Sequence, residues 1–265
     1  MDKTLAYKRS KVHYRKAGKG PCLVLLHGFI ESLDIWDDFV DDLKNQFCII
    51  TIDLPGHGKS DCIGDVHTME EMAEVVKTVL NTENIQHCVL CGHSMGGYVA
   101  LSFLDLFPQM LNALCLFHSN ANADSEGVKD NRIRTIELIN QNKHPFLSAF
   151  IPDLFAPENT ETFASEIDIL KQRALLITPE ALAASIKGMM QRKDHSMLIQ
   201  HAQIPFLFII GKKDSRSPYQ QVLQQAQLAQ HAEILLLDKV GHMGYIENKK
   251  VTMRVLKDFT KAYSN

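Results

Sequence analysis

The sequence has no long apolar run. Hydrophobic residues make up 45% of its 265 positions, yet nowhere do they approach the roughly 18 consecutive positions that span a bilayer. Charge of one sign is missing as well. A formal net charge of −3 gives no long-range attraction to nucleic acid or to an anionic membrane. Arg192-Lys193 and Lys212-Lys213 are too short to make a basic patch. Residues 1–10 are polar and contain no apolar h-region, so no secretory signal is expected and the expected location is the cytoplasm. The chain contains no H-E-x-x-H, no dinucleotide fingerprint and no G-x-x-x-x-G-K-[ST], so neither a metal nor an organic cofactor is expected.

Cysteine is sparse, with six residues. Cys22, Cys48, Cys88, Cys91 and Cys115 lie in or beside apolar strand-like runs and read as small buried thiols; Cys62 reads as a loop thiol. Cys88 and Cys91 form C-x-x-C, but residues three apart on a strand point to opposite faces and cannot bridge or share a metal. Free thiols fit a reducing compartment.

What is present centres on residues 87–97. Cys88 to Cys91 is a short apolar strand, and Gly92-His93-Ser94-Met95-Gly96 follows it directly. Tyr98, Val99, Leu101, Phe103 and Leu106 then recur at helical spacing until Pro108. A strand, a tight G-x-S-x-G turn and a helix in immediate succession make a nucleophile elbow. The glycines are steric necessities on that bend, where a side chain would strike the neighbouring strand or helix. The bend lifts the Ser94 hydroxyl clear of the sheet at a helix start.

The rest alternates strand and helix. Leu5 to Lys16 predicts one or two antiparallel edge strands. Continuous apolar runs at Cys22 to Leu26, Phe47 to Ile52, Leu111 to Phe117, Ile204 to Ile210 and Ala232 to Leu237 predict buried strands. Helical periodicity lies between them, including a capping box at Thr68-Met69-Glu70-Glu71 and late helices at Tyr219 to Gln230 and Lys249 to Tyr263. Such spacing requires crossovers, and so a mostly parallel central sheet flanked by helices. Asp37, Asp38, Asp41 and Asp42 read as the solvated face of a helix rather than a calcium loop. Residues 120–202 break the rhythm. They show no convincing strand and carry helices at Asp130 to Asn140, Glu161 to Leu176 and Glu180 to Met190, punctuated by prolines. The expected organisation is a core of residues 1–119 and 203–265 with residues 120–202 as a helical cap over the sheet's carboxyl edge.

A serine hydroxyl needs a base to take its proton, and the base needs an acid to hold its tautomer. In a parallel sheet these groups sit just past the carboxyl ends of strands. Asp214 follows the 204–210 strand and His242 follows the 232–237 strand, which makes Ser94, Asp214 and His242 the expected catalytic set. Asp124 and Asp238 are the rival acids. Asp124 lies several residues past its strand, and Asp238 sits only four residues before the base. The backbone N–H groups of Met95 and Phe29 are the expected oxyanion donors. His27 reads as a structural histidine under the oxyanion turn, and Trp36 as a core anchor.

Gly92-His93-Ser94-Met95-Gly96-Gly97, His27-Gly28-Phe29, residues 53–60 (Asp-Leu-Pro-Gly-His-Gly-Lys-Ser), Gly211-Lys212-Lys213-Asp214 and Gly241-His242 together resemble the α/β-hydrolase superfamily. More narrowly, the chain is similar to its small cofactor-free bacterial serine esterases with a helical cap. The resemblance covers nearly everything outside residues 120–202, and the order Ser, Asp, His agrees with it. It implies hydrolysis of a small carboxylic ester through an acyl-enzyme. The same motif set serves lactonases, carbon–carbon bond hydrolases and related ligand sensors with little turnover. A serine at the elbow separates the chain from dehalogenases and epoxide hydrolases, which use aspartate. Phe146 and Phe150 in the cap, and His118 with Asn120 at a strand end, are the pocket residues expected. The expected partner is a small ester alone, met by a monomer or weak homodimer.

Overall fold

The computed structural model describes residues 1–264. Eight strands form one sheet: β1 Asp2–Tyr7, β2 Ser10–Ala17, β3 Cys22–Leu26, β4 Cys48–Ile52, β5 Cys88–His93, β6 Leu111–Phe117, β7 Phe206–Gly211 and β8 Ala232–Leu237. Their order across the sheet is β1-β2-β4-β3-β5-β6-β7-β8. The β1–β2 and β2–β4 pairs are antiparallel and every other pair is parallel. Strands β3, β4 and β5 are buried along their whole length, as continuous apolar runs between two helical layers should be. β8 is an edge, and Glu233 and Ile234 on it are exposed.

The helices are α1 Asp37–Leu43, α2 Met69–Thr82, α3 Met95–Leu106, α4 Glu126–Phe150, α5 Ala164–Ala174, α6 Pro179–Gln191, α7 Ser196–His201, α8 Tyr219–Ala226, α9 Gly244–Glu247 and α10 Lys249–Tyr263. Thr68 caps α2, accepting from the Glu71 N–H at 3.1 Å. From β3 the chain steps outward to β4, then returns across β3 to β5. The carboxyl ends of β3 and β5 therefore flank the topological switch point, where open α/β sheets form a crevice.

The segment between β6 and β7 is helical throughout, as the sequence predicts, but its details differ. Helix α4 runs past Asn140 to Phe150 and kinks at Asn142, whose φ and ψ are −164° and 111°. Asn142 restarts the helix by accepting the His144 N–H on its own Oδ1 at 3.0 Å. Pro145 then falls in the first turn of the new segment, where a missing N–H costs nothing. This proline begins a helix rather than ending one. A short helix, α7, was not foreseen. The insertion is locked to the core where α6 crosses the 57–67 loop. The His67 N–H donates to Ala184 O at 3.0 Å, and any side chain on Gly188 would collide with the His67 carbonyl.

Among the described residues no helix is long and apolar enough to cross a membrane. The five strand cysteines are buried and unpaired, and Cys62 is exposed.

Candidate active site

Ser94 occupies the bend between β5 and α3 with φ 50° and ψ −115°, a strained conformation for a residue with a Cβ. The carboxyl end of β6 holds it: the Ser94 N–H donates to Phe117 O at 3.0 Å, and the Ser119 hydroxyl donates to Ser94 O at 2.8 Å. A Cβ on Gly92 would collide with the Gly96 carbonyl, and one on Gly96 would lie 2.7 Å from His27 O. The glycines are there because two backbones pass at contact distance, as the motif implies.

Ser94 and His242 both line a cavity of about 700 Å³ between the sheet and the helical insertion. The His242 ring Nδ1 donates to Asp214, with Oδ2 at 2.9 Å and Oδ1 at 3.0 Å. That bond leaves Nε2 as the ring's free acceptor. Among the described residues the Ser94 hydroxyl has no hydrogen-bond partner, the imidazole included. Asp214 is also fixed by the backbone, because Oδ1 accepts from the N–H groups of Arg216 at 2.7 Å and Ser217 at 2.9 Å. Burial would raise its pKa. The His242 imidazole outweighs that and holds the carboxylate ionised, well below its ordinary range.

The rival acids are elsewhere. Asp238 is exposed and paired with Lys212 Nζ at 2.6 Å. Asp124 is taken by two arginines. His27 is structural: the Leu54 N–H donates to its Nε2 at 2.9 Å, so Nδ1 carries the hydrogen and donates to Gly28 O at 2.8 Å. Trp36 is fully buried against Phe39, Phe117 and Tyr245. The N–H groups of Phe29 and Met95 have no protein acceptor among the described residues. Phe29 lines the cavity, and Met95 opens α3 immediately after Ser94.

Of the expected pocket residues, Phe146, Phe150 and Asn120 line the cavity and His118 does not. His118 is wholly buried on the far side of the acid, with Nδ1 3.3 Å from Asp214 Oδ2 but not aligned for a hydrogen bond. The room for its ring comes from Gly244, since a Cβ there would lie 2.2 Å from His118 Nε2. Burial lowers its pKa to about 4 against the pull of Asp214, so the ring is neutral at pH 7. A polar residue at a strand end is normally a pocket residue, but here φ +48° turns the side chain inward.

Sequence reasoning missed the groups that tie the site together. Glu31 is a buried carboxylate that accepts from the Gly28 N–H at 2.5 Å, from His93 Nδ1 at 2.9 Å and from the Tyr245 hydroxyl at 2.9 Å. His93 Nε2 donates in turn to His242 O at 2.9 Å. Both ring nitrogens donate, so His93 is an imidazolium. Its pKa is raised because Glu31 outweighs burial, and that of Glu31 is lowered because His93 does the same. One ion pair thus joins the turn after β3, the bend at Ser94 and the loop carrying His242. The insertion grips that loop too: the His242 N–H donates to Leu154 O at 2.6 Å, and Glu247 accepts from the N–H groups of Ala156 and Gly241, each at 2.9 Å.

Replacing Glu31 with glutamine should cost about 3–5 kcal/mol, because it strands a buried imidazolium. The sign of its pH dependence follows from both partners. Glu31 has a depressed pKa, so its share is present above the ordinary 4.5 and is lost as pH falls below it. His93 has a raised pKa, so its share is present below the ordinary 6.5 and is lost as pH climbs through the raised value. Denaturant melts across pH should show the largest gap between wild type and variant from pH 4.5 to 6.5. A gap that does not vary with pH would remove the ion pair from the account.

Among the described residues, no group of three or more His, Cys, Asp or Glu side chains is arranged to hold a metal ion. Comparison with known proteins agrees with the architecture. A family model described as alpha/beta hydrolase fold matches residues 21–138. A dihydrolipoyllysine-residue acetyltransferase component of an acetoin cleaving system from Pseudomonas putida is 31% identical over 86% of this chain, which spans 60% of that protein's length. A 2-hydroxy-6-oxononadienedioate/2-hydroxy-6-oxononatrienedioate hydrolase from Paraburkholderia phymatum is 27% identical over 94% of this chain and 90% of its own. The solved structure of a thermophilic esterase from Thermogutta terrifontis superposes with a TM-score of 0.94 at 26% identity, covering all of both chains. The chain has the α/β-hydrolase fold, and these similarities support the α/β-hydrolase superfamily. The chemistry that these similarities support is hydrolysis.

Proposed function

We propose that this protein is a serine hydrolase that cleaves a small carboxylic ester through an acyl-enzyme. The observation that carries the proposal is a single cavity lined by Ser94 and His242, with Asp214 2.9 Å from the far nitrogen of the imidazole. His242 Nε2 takes the Ser94 proton as Oγ attacks the ester carbonyl. The N–H groups of Phe29 and Met95 hold the oxyanion. The imidazolium, steadied by Asp214, returns the proton to the leaving alcohol. Water activated by the same imidazole then releases the acid and restores Ser94. Asp214 sets the tautomer and stays ionised throughout. Residues 120–202 act as the cap, with Phe146, Phe150 and Leu154 forming an apolar part of the wall. The enzyme works on a small molecule as a monomer or weak dimer in the cytoplasm.

A carbon–carbon bond hydrolysis with the same residues is the second reading, favoured by the similarity to the hydrolase from Paraburkholderia phymatum over most of both chains. A panel of 4-nitrophenyl esters of increasing acyl length separates the readings. An esterase should give a burst equal to the active-site concentration, followed by many turnovers. Its kcat/KM should peak at one acyl length, as a cavity of finite size requires. Release that stalls after about one product per site would instead make the protein a ligand sensor. Steady turnover without ester preference, alongside faster cleavage of a vinylogous 1,5-diketone, would favour the carbon–carbon reading.

A further inference from the structure

One wall of the cavity carries more positive charge than the protein neutralises. Buried Asp124 accepts from Arg132 Nε at 2.5 Å and from Arg192 Nη1 at 2.6 Å. Arg192 is itself buried. Its Nε donates to Asn122 O and its Nη1 to Met189 O, each at 2.9 Å, and its plane stacks 4.1 Å over the Tyr98 ring. Among the described residues, its Nη2 has no acceptor. Arg132 Nη1 faces Met189 Sδ at 3.5 Å, a weak acceptor. The other charged groups nearby are committed. Glu31 is paired with His93 and Arg216 with Asp153. Lys129 pairs with Glu126, and Asp194 is exposed, accepting from the Ser196 N–H and from the Asn122 side chain. Two guanidinium groups therefore share one carboxylate, and all three residues line the cavity that Ser94 and His242 share.

A desolvated cation in excess is costly unless an anion joins it. The donors left over are Arg192 Nη2 and the Arg132 Nη1 and Nη2 hydrogens not given to Met189 and Asp124, and between them they can reach the two oxygens of a carboxylate. We propose that Arg132 and Arg192 form a carboxylate subsite, and that the substrate is a half-ester: an ester at one end, seated at Ser94, and a free carboxylate at the other. This rests on the ester reading above and adds the identity of the group at the distal end. Phe146 and Phe150, on the same cavity, suit the methylene spacer between the two ends.

The test uses the monomethyl and dimethyl esters of glutaric, adipic and suberic acids. Calorimetry on Ser94→Ala measures binding without turnover, and kcat/KM is measured on wild type, Arg132→Gln and Arg192→Lys. In Ser94→Ala the monomethyl ester of one chain length should bind at least about tenfold tighter than its dimethyl partner, a preference that falls with added salt. The monomethyl-to-dimethyl ratio of kcat/KM should drop about tenfold in Arg132→Gln, with the change in KM. Should Arg132→Gln fail to fold, Arg192→Lys keeps the charge but loses the fork, and the ratio should still fall. Equal binding of both esters at every chain length would overturn the subsite, as would a ratio unchanged in every variant that folds. Undiminished hydrolysis by Ser94→Ala would sink the ester mechanism instead, and leave the binding preference to stand by itself.

Discussion

Ser94→Ala should lower kcat for a 4-nitrophenyl ester by about 10⁶-fold while leaving the protein as stable as before. The rate falls because the proposed acyl-enzyme forms on Ser94, and the other serine and threonine hydroxyls on the cavity, those of Ser125, Thr135 and Ser215, do not sit at the bend between β5 and α3. What persists is stabilisation by the oxyanion donors and by binding, worth about 10³- to 10⁴-fold over water. Stability holds because the Ser94 hydroxyl bonds to nothing among the described residues, so its loss orphans no partner. The strain at φ 50° is the same for alanine. A change within about 0.5 kcal/mol is expected. The check pairs steady-state rates with thermal melts of the same preparation. An active-site phosphonate should add one adduct mass to wild type and none to the variant. Activity within tenfold of wild type in clean material would remove Ser94 as nucleophile. A melting point down by ten degrees would mean that lost rate reflects lost structure.

Asp214→Asn should reduce kcat by about 10⁴-fold at neutral pH. The reason lies in which oxygen is already occupied. Oδ1 accepts two backbone N–H groups, from Arg216 and Ser217, so the asparagine carbonyl takes that place and its NH₂ faces His242 Nδ1. The ring must then accept at Nδ1 and carry its hydrogen on Nε2, which is the tautomer that cannot take a proton from Ser94. The ionised aspartate that steadies the imidazolium is lost too. His118, neutral and 3.3 Å from the same carboxylate, offers no replacement charge. The variant should fold, since the two oxygen–backbone bonds survive. Rates within a few fold of wild type would dismiss Asp214, and Asp124 and Asp238 are poor heirs because arginine and lysine partners already hold them.

The elbow, the strand ends and the order of Ser94, Asp214 and His242 along them were legible because each is a local feature. An apolar run reports a strand, the turn residues after it report its end, and a parallel sheet brings such ends to one edge. The helical character of residues 120–202 could be read for the same reason. The Asn142–Pro145 joint was not legible because a proline marks a boundary without saying on which side of it the helix lies. Only the cap formed by the Asn142 side chain decides that.

Pairing across long stretches of chain was not legible. Glu31 reads as an ordinary polar loop residue. It became a buried carboxylate only because His93 and Tyr245, 62 and 214 positions away, converge on it. Its place two residues after His27-Gly28-Phe29 was the one available hint. His118 was assigned to the pocket on its strand-end position alone. The gap at Gly244, far along the chain, decided that it lies behind Asp214 instead.

The sequence by itself determined where a hydroxyl, an imidazole and a carboxylate leave the sheet, since hydropathy and turn sterics act between neighbours. Tertiary structure alone decided which charges are neutralised: His93 by Glu31, and Arg132 with Arg192 only in part by Asp124. Burial makes a charge's partner matter, and burial belongs to the packed chain rather than to any stretch of it.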